Sequence, residues 1–455
     1  MEQLPFDPAN AAEALAQLPR SAAVFALYGA DEHAEPYIGR TPNLRGRLER
    51  LLQPSAKHPR RLQLAGRVRR IEWQLTGSEF ESLLLQFELL HKVYGAKCLE
   101  RMHLRHPAFV RFLGGNPYPR VAVTHKPSQR EAEWAYGPFA SRAAAERFAD
   151  EVLKLFLLRR CTFELAPDPS YPGCVYSEMK MCLAPCFKGC TDQRYAQEAA
   201  AVQSFLATRG VSRLVTLRGE RDAASAQLEF ESAAALHTEV QRVEAVRALA
   251  AELVRPLSEL RAVILQPPAV GPTAPSAPAA EVALFLFERG RFSGPAMFST
   301  LGMRIPNEQS GSTSLFAQPL AIEAVPEEQG LGTEGLGTKD ERSEIRDQGA
   351  GTEGIGNREQ GIGNREQVAT ARLARGVLEA RMEAALAELK HPQGPPHAVL
   401  RQGHLALLKR WYYRPEARRA GEIFFPDEEG RWPIKSILRG AGRIAAKMLS
   451  NKESE

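Results

Sequence analysis

Two sets of residues in this chain have the types and spacing for chemistry. The first is the stretch PYIGRTPNLRGRL, Pro36 to Leu48, where a Tyr-Ile-Gly is followed by Arg40, Asn43, Arg45 and Arg47. Guanidinium groups at this density suit a phosphate, because each can grip two anionic oxygens at once. The excess continues along the chain. From Arg40 to Arg70 there are ten Lys/Arg against the single acid Glu49, although the formal net charge of the whole chain is only +5. A local surplus of this kind points to a polyanionic partner, while the same residues also make a plain solvated surface. The second set is four cysteines, Cys161, Cys174, Cys182 and Cys186, in the pattern C-x12-C-x7-C-x3-C with CLAPC at its end.

The opening MEQLPFDPANAAEALAQLPR has no basic region followed by an apolar run. No later window offers ~18 uninterrupted apolar residues. The expected location is therefore the cytoplasm, with no membrane partner, where six cysteines argue for metal binding rather than a disulfide framework. The four-cysteine pattern lacks the short knuckles usual for zinc and differs from ferredoxin runs. A metal cluster, zinc and free buried thiols all stay open on spacing alone. Cys190 is spare beside the four, and Cys98 is expected to be ordinary packing.

The elements that must position these residues can be read from periodicity. SAAVFALYG and EPYIGR form two short strands of a hairpin. Leucines at 44, 48, 51 and 52 lie on one helical face, and GSEFESLLLQFELLHKVYG predicts a helix closed by Gly95. PRVAVTH predicts a strand, and SRAAAERFADEVLKLF a helix capped by Ser141. Two helices joined near Leu228 to Glu231 span roughly 211–254 as an antiparallel pair. Beyond a Pro/Ala spacer, GIGNREQ occurs twice in succession at 354–360 and 361–367. Two glycines and one apolar residue per seven cannot build a coiled-coil seam, so this stretch is expected to be a disordered insertion. At 455 residues several domains are expected.

Ala23-Val24-Phe25 and Tyr37-Ile38-Gly39, with Asn43, Leu44, Arg45 and Arg47 after them, resemble the GIY-YIG nuclease motif. PYPRVAVTHKPSQREAEWAYGPFASRAAAERFADEVLKLFLLRRC is similar to the segment that follows this domain in the UvrC family of bacterial nucleotide excision repair, which includes Cho-like members. The resemblance implies a phenol near the attacking water, an arginine on the phosphate, and a carboxylate holding one divalent ion, Mg²⁺ or Mn²⁺. The ion activates water and neutralises developing charge. Tyr37 matches the second motif tyrosine and Arg47 the phosphate arginine, with Arg40, Asn43 and Arg45 as neighbouring DNA contacts. Three positions depart. The first tyrosine falls on Phe25, which has no hydroxyl, the metal-binding glutamate falls on the neutral Gln86, and the closing asparagine falls on Cys98. Glu88 is expected on the opposite helix face, about 200° away, which leaves Glu81 as the candidate substitute for the lost carboxylate.

The same resemblance implies a [4Fe-4S] cluster on Cys161, Cys174, Cys182 and Cys186, with zinc as the other occupant. It identifies LEFESAAALHTEVQRVEAV as similar to the UVR motif, through which Leu228, Phe230, Ala234 and Leu236, with Val240, would engage a UvrB-type helicase subunit. EVALFLFERGRFSGPAMFS and HLALLKRWYYRPEARRAGEIFFP are similar to pieces of an RNase H-like nuclease, but LRAVILQ lacks the motif aspartate. Trp411, Tyr412 and Tyr413 between Arg410 and Arg414 could stack bases, or belong to a core.

The expected fold class is α+β and multidomain. It comprises a small GIY-YIG α/β sandwich domain over 15–100, a connecting strand–helix segment over 101–158, a Cys-rich cluster module over 159–206 and a UVR helical hairpin over 207–255. A degenerate RNase H-like remnant over 256–303, the low-complexity insertion over 304–370 and a C-terminal helical remnant over 371–455 follow. Two functions are expected to compete: a component of nucleotide excision repair that incises DNA on the 3′ side of a lesion, or a catalytically inactive DNA-binding adaptor that keeps the cluster and the hairpin.

Overall fold

The structure, a computed structural model, describes residues 1–31, 33–53, 64, 66–127, 134–269, 281–300, 303, 376–389 and 397–453. The expected low-complexity insertion over 304–370 lies outside the described residues.

The first sheet is built from β1 (Glu2–Pro5), β2 (Ala23–Tyr28), β3 (Tyr37–Thr41) and β4 (Arg70–Leu75), in the order β1-β4-β2-β3, every pairing antiparallel. It starts earlier than residue 15, since Leu4 pairs with Ile71. Two helices, α1 (Ala11–Ala16) and α2 (Leu44–Leu52), cover it, and the leucines of α2 bury at 44, 48, 51 and 52 as their spacing requires. They share a core with Phe25, Leu27, Ile71 and Trp73.

The helix α3 (Glu79–Tyr94) begins at Ser78, whose hydroxyl accepts the Glu81 N–H, and ends at Gly95 with φ +54°, a conformation glycine adopts without strain. Its apolar side does not join the first core. Phe80, Leu83, Leu84, Phe87 and Leu90 instead pack with residues from the far end of the chain. A short helix, α4 (Cys98–Arg101), leads into a second sheet of β5 (Ala108–Phe112), β6 (Val121–Thr124), β7 (Ala135–Phe139) and β8 (Arg255–Pro256), ordered β6-β5-β7-β8.

One face of this second sheet is covered by α5 (Arg142–Lys154), which Ser141 caps by accepting the Ala144 N–H at 3.1 Å. After the short helix α6 (Val175–Glu178) come α7 (Asp192–Ala207) and the antiparallel pair α8 (Val211–Ala226) and α9 (Phe230–Ala248). Leu214, Leu217, Val240, Val243 and Val246 bring the base of this pair into the core of the second sheet.

The stretches 256–303 and 371–455, separate in the sequence reading, meet in one sheet. Its strands are β9 (Ala262–Gln266), β10 (Glu281–Glu288), β11 (Arg291–Ser299) and β12 (Glu422–Phe424), ordered β11-β10-β9-β12. Strand alternation sorts the side chains. Val263, Leu265, Val282 and Leu284 face α10 (376–388) and α12 (Ile434–Glu453), whereas Ala262, Ile264, Ala283 and Phe285 face α3 and α11 (Ala398–Tyr412). Gly403 on α11 lets the two helices touch, because a Cβ there would lie 2.0 Å from the Phe87 ring. Among the described residues no helix is long and apolar enough to cross a membrane.

Candidate functional site

Phe25 and Tyr37 lie side by side on the β2–β3 hairpin, with ring centroids 6.2 Å apart. Phe25 is fully buried and pairs in register with Gly39. A Cβ at position 39 would stand 2.7 Å from the Phe25 Cζ, so only glycine fits under the ring. Tyr37 is half-buried at the sheet edge. The Tyr94 hydroxyl donates to the Pro36 carbonyl at 2.8 Å and ties the end of α3 to the start of β3.

Several residues expected to touch DNA have partners inside the fold. The Asn43 side chain accepts the Gly46 N–H at 2.9 Å and caps α2. Arg45 Nε donates to the Leu18 carbonyl at 2.6 Å. Arg40 reaches Glu79 at 3.7 Å, on a carboxylate that Arg414 grips through bonds of 2.7 and 2.8 Å. These hydrogen bonds from Arg414, with the charges of Arg414 and Arg40, hold the Glu79 carboxyl below its usual range. Arg47 is half-buried on α2, and among the described residues it takes part in no ion pair.

Gln86 is half-buried on α3, between the leucines and phenylalanines that enter the shared core. The substitute carboxylate expected at Glu81 is committed elsewhere. Its Oε2 accepts the Gly77 N–H at 2.7 Å, and its own N–H donates to Ser78 Oγ at 3.1 Å. This reciprocal arrangement starts the helix. Burial raises the Glu81 pKa, opposed by the Gly77 bond. Glu88 is exposed, as its position on the other side of the helix requires.

Cys161, Cys174, Cys182 and Cys186 gather in a turn-rich segment between α5 and α7. Asp168 N donates to Cys186 O at 2.8 Å and Leu183 N to Leu157 O at 2.9 Å, folding the segment back on itself. The four thiols are within electrostatic reach of one another. Burial pushes the Cys182 thiol up to about 11, with Cys161, Cys174 and Cys186 adding to the shift. Burial also raises Cys186, with Cys174 and Cys161 contributing. The Ala184 N–H donates to Cys182 Sγ at 3.3 Å, and Arg159 Nη1 lies 3.7 Å from Cys161 Sγ. Among the described residues no group of three His, Cys, Asp or Glu is arranged to hold a metal ion. Cys98 is fully buried in the core, a packing residue.

On the helical pair, Leu228 and Phe230 are 71% and 66% exposed, Ala234 is exposed and Leu236 half-buried. Val240 is 3% exposed and belongs to this chain's own core, which removes it from the expected partner-facing set. The aromatics of RWYYR are likewise structural. Trp411 is buried with its Nε1–H on the Ala420 carbonyl at 3.0 Å, and the Tyr413 hydroxyl donates to the Pro138 carbonyl at 3.0 Å. Sequence reasoning did not find the Glu79–Arg414 contact. Nothing local signals an ion pair between residues 335 positions apart.

The sheet, its hairpin and the flanking helices define a nuclease-like domain of GIY-YIG type. The family model of the UvrC-like GIY-YIG domain matches residues 22–94, and that of the UvrC/Cho excinuclease middle domain matches 109–205. Over these two stretches the chain is similar to the UvrC family. It is 29% identical over 212 residues to the UvrABC system protein C of Alcanivorax borkumensis, covering 46% of this chain and 34% of that one. It is 28% identical over 234 residues to the same-named protein of Ruminiclostridium cellulolyticum (51% and 38%), and 29% over 213 residues to that of Shigella dysenteriae (46% and 36%). The chain thus spans less than two-fifths of the length of these relatives. No solved structure matches it.

Proposed function

We propose that this chain is a UvrC-type component of nucleotide excision repair that binds damaged DNA with a UvrB-type partner, and that its GIY-YIG centre holds the DNA backbone without cutting it. One observation carries the reading. Phe25 is sealed against Gly39 with no hydroxyl, Gln86 stands in the place of a charged metal ligand, and Glu81 is spent on capping α3. A Mg²⁺ or Mn²⁺ ion, when bound, supplies water activation and charge neutralisation. The residues here fit it poorly, since Gln86 offers only an amide oxygen and no full charge. Arg47 keeps a guanidinium for phosphate oxygens, and Tyr37 on β3 keeps a phenol. Substrate binding therefore survives where proton transfer and metal anchoring do not.

The four cysteines are read as ligands of a [4Fe-4S] cluster. Their mutual electrostatic reach, the N–H bond to Cys182 Sγ and the nearby Arg159 guanidinium support a polynuclear anionic centre. The cluster's work here is to tie down a loop-rich module. The α8–α9 pair is read as a UVR hairpin whose exposed tip, Leu228 and Phe230, docks on an apolar helical surface of the partner. The β9–β11 meander is read as the remnant of an RNase H-like domain. Its first strand, Ala262–Gln266, is fully buried and carries no carboxylate, which supports reading it as a remnant.

A nicking assay on lesion-bearing supercoiled plasmid, with Mg²⁺ and the UvrB-type partner, tests the reading. The expected result is binding without nicking. Strong divalent-dependent scission that Arg47→Ala abolishes would overturn it. For the cluster, iron and sulfide analysis after anaerobic purification is expected to find both, and zinc in their place would refute the assignment.

A further inference from the structure

Away from the β2–β3 hairpin, a cleft of about 50 Å³ opens between β7, the α7–α8 turn and the end of α9, lined by Tyr136, Phe148, Phe205, Arg209, Arg247 and Ala250. Its charge is unusual. Arg209 sits at the turn with φ +53°, just before Gly210 at φ +81°. Arg247 Nε donates to the Arg209 carbonyl at 2.7 Å, and its stem runs where a Cβ on Gly210 would lie 2.8 Å away. The backbone therefore builds the two arginines into place. On the adjoining strand, Arg255 is held by the Glu252 carbonyl at 3.1 Å and lies over the Phe425 ring at 4.3 Å.

All three guanidinium groups act on the Tyr136 hydroxyl. The acid in the neighbourhood is Glu252, an exposed side chain 3.6 Å from Arg255. Among the described residues neither Arg209 nor Arg247 takes part in an ion pair with a carboxylate. The phenol does not supply the missing anion, because burial pushes it up to about 12 and it keeps its proton at neutral pH. Half-buried like charges repel one another more than they would in water, and an anion between them removes that cost.

We propose that this cleft holds one phosphate group, gripped by Arg209 and Arg247 and accepting a hydrogen bond from Tyr136. The volume fits a small tetrahedral anion and falls far below the ~300–1,000 Å³ of small-molecule pockets. The phosphate arrives as part of a nucleic-acid backbone or as the free ion, the recognition chemistry being the same. The backbone source rests on the DNA-binding reading above, and the free ion does not.

The test uses the full chain and the double variant Arg209→Gln/Arg247→Gln. Thermal unfolding in inorganic phosphate, against chloride at equal ionic strength, is expected to raise the wild-type midpoint by roughly 2–4 °C and to leave the variant unmoved. If the double variant fails to fold, Tyr136→Phe, which removes one donor and keeps the ring, is expected to reduce the phosphate shift. Duplex binding across a salt series separates the sources. A backbone phosphate predicts that the variant's log affinity falls less steeply with log salt, by about one to two in slope. A phosphate shift with identical slopes assigns the site to the free ion. A wild-type chain that binds no DNA yet shifts with phosphate defeats the repair reading and keeps the site. The absence of any phosphate shift, together with equal slopes in a folded variant, would overturn the proposal.

Discussion

The helices α3 and α9 were both expected to carry functional residues, and the fold treats them in opposite ways. α3 is enclosed. Phe80 meets Phe285, Phe292 and Trp411 edge-on or tilted at centroid distances of 5.4, 5.2 and 5.7 Å, and Phe87 lies against Gly403. α9 enters the core chiefly through Val240, Val243 and Val246 of its C-terminal half, with Leu236 half-buried at the margin, while its N-terminal end leaves Phe230 in solvent. The first has become a strut that joins the N-terminal sheet to the C-terminal one. The second still presents a surface. A helix used as a strut cannot easily regain a charged ligand on its inner face, because its position is set by packing on both sides.

This contrast can be broken at its strongest point first. Phe87→Ala empties a fully buried site between α3 and α11 and is expected to cost about 3–5 kcal/mol, read as a lowered urea midpoint. A loss below about 1 kcal/mol would mean that α3 is not held as described. Next in size, Gln86→Glu with Phe25→Tyr returns the charge and the phenol, and should raise lesion-dependent nicking by about 10²-fold. A silent double variant that folds normally would show that the enclosure of α3, and not only those two side chains, disables the centre. Phe230→Ala should leave stability within ±0.5 kcal/mol. It should weaken the proposed partner by roughly tenfold in a titration of the partner hairpin.

The smallest effect belongs to Glu79. Its carboxyl has a folded pKa below the ordinary 4.5, so the charged form stabilises the folded chain. That contribution is complete above pH 4.5 and disappears as the pH falls through the lowered folded value. Because the Glu79 side chain is 41% exposed, Glu79→Gln is expected to cost only about 0.2–1 kcal/mol. The difference between the two proteins should vanish in acid unfolding below that window, and a loss that persists there would assign the effect to packing.

How much of this was legible in advance depends on the distance over which each feature is encoded. The leucine face of α2, the caps at Ser78 and Ser141, the stop at Gly95 and the β2–β3 hairpin follow from residues a few positions apart. Tyr37, Arg47, Phe25 and Gln86 could be aligned for the same reason. The fate of Glu81 was harder. A Ser followed three residues later by Glu is a capping signal, and it competes with any metal role for the same carboxylate. The RWYYR segment shows the reverse error that composition invites. Its aromatics and arginines suit nucleic acid on paper, yet Trp411 and Tyr413 complete a core and Arg414 pairs with Glu79.

By itself the sequence determined the local elements and the positions that keep or lose chemical groups. Helical and strand periods and capping geometry act within one or two turns, and side-chain chemistry is a property of each residue alone. Only the tertiary structure decided that Glu422–Phe424 closes the sheet begun by Ala262–Gln266, that α3 buries its apolar side in the core built with the far end of the chain, and that Arg209, Arg247 and Arg255 meet at one phenol. These depend on which apolar faces find each other across hundreds of residues. Burial between such faces is non-directional, so the order of residues along the chain does not state the partner.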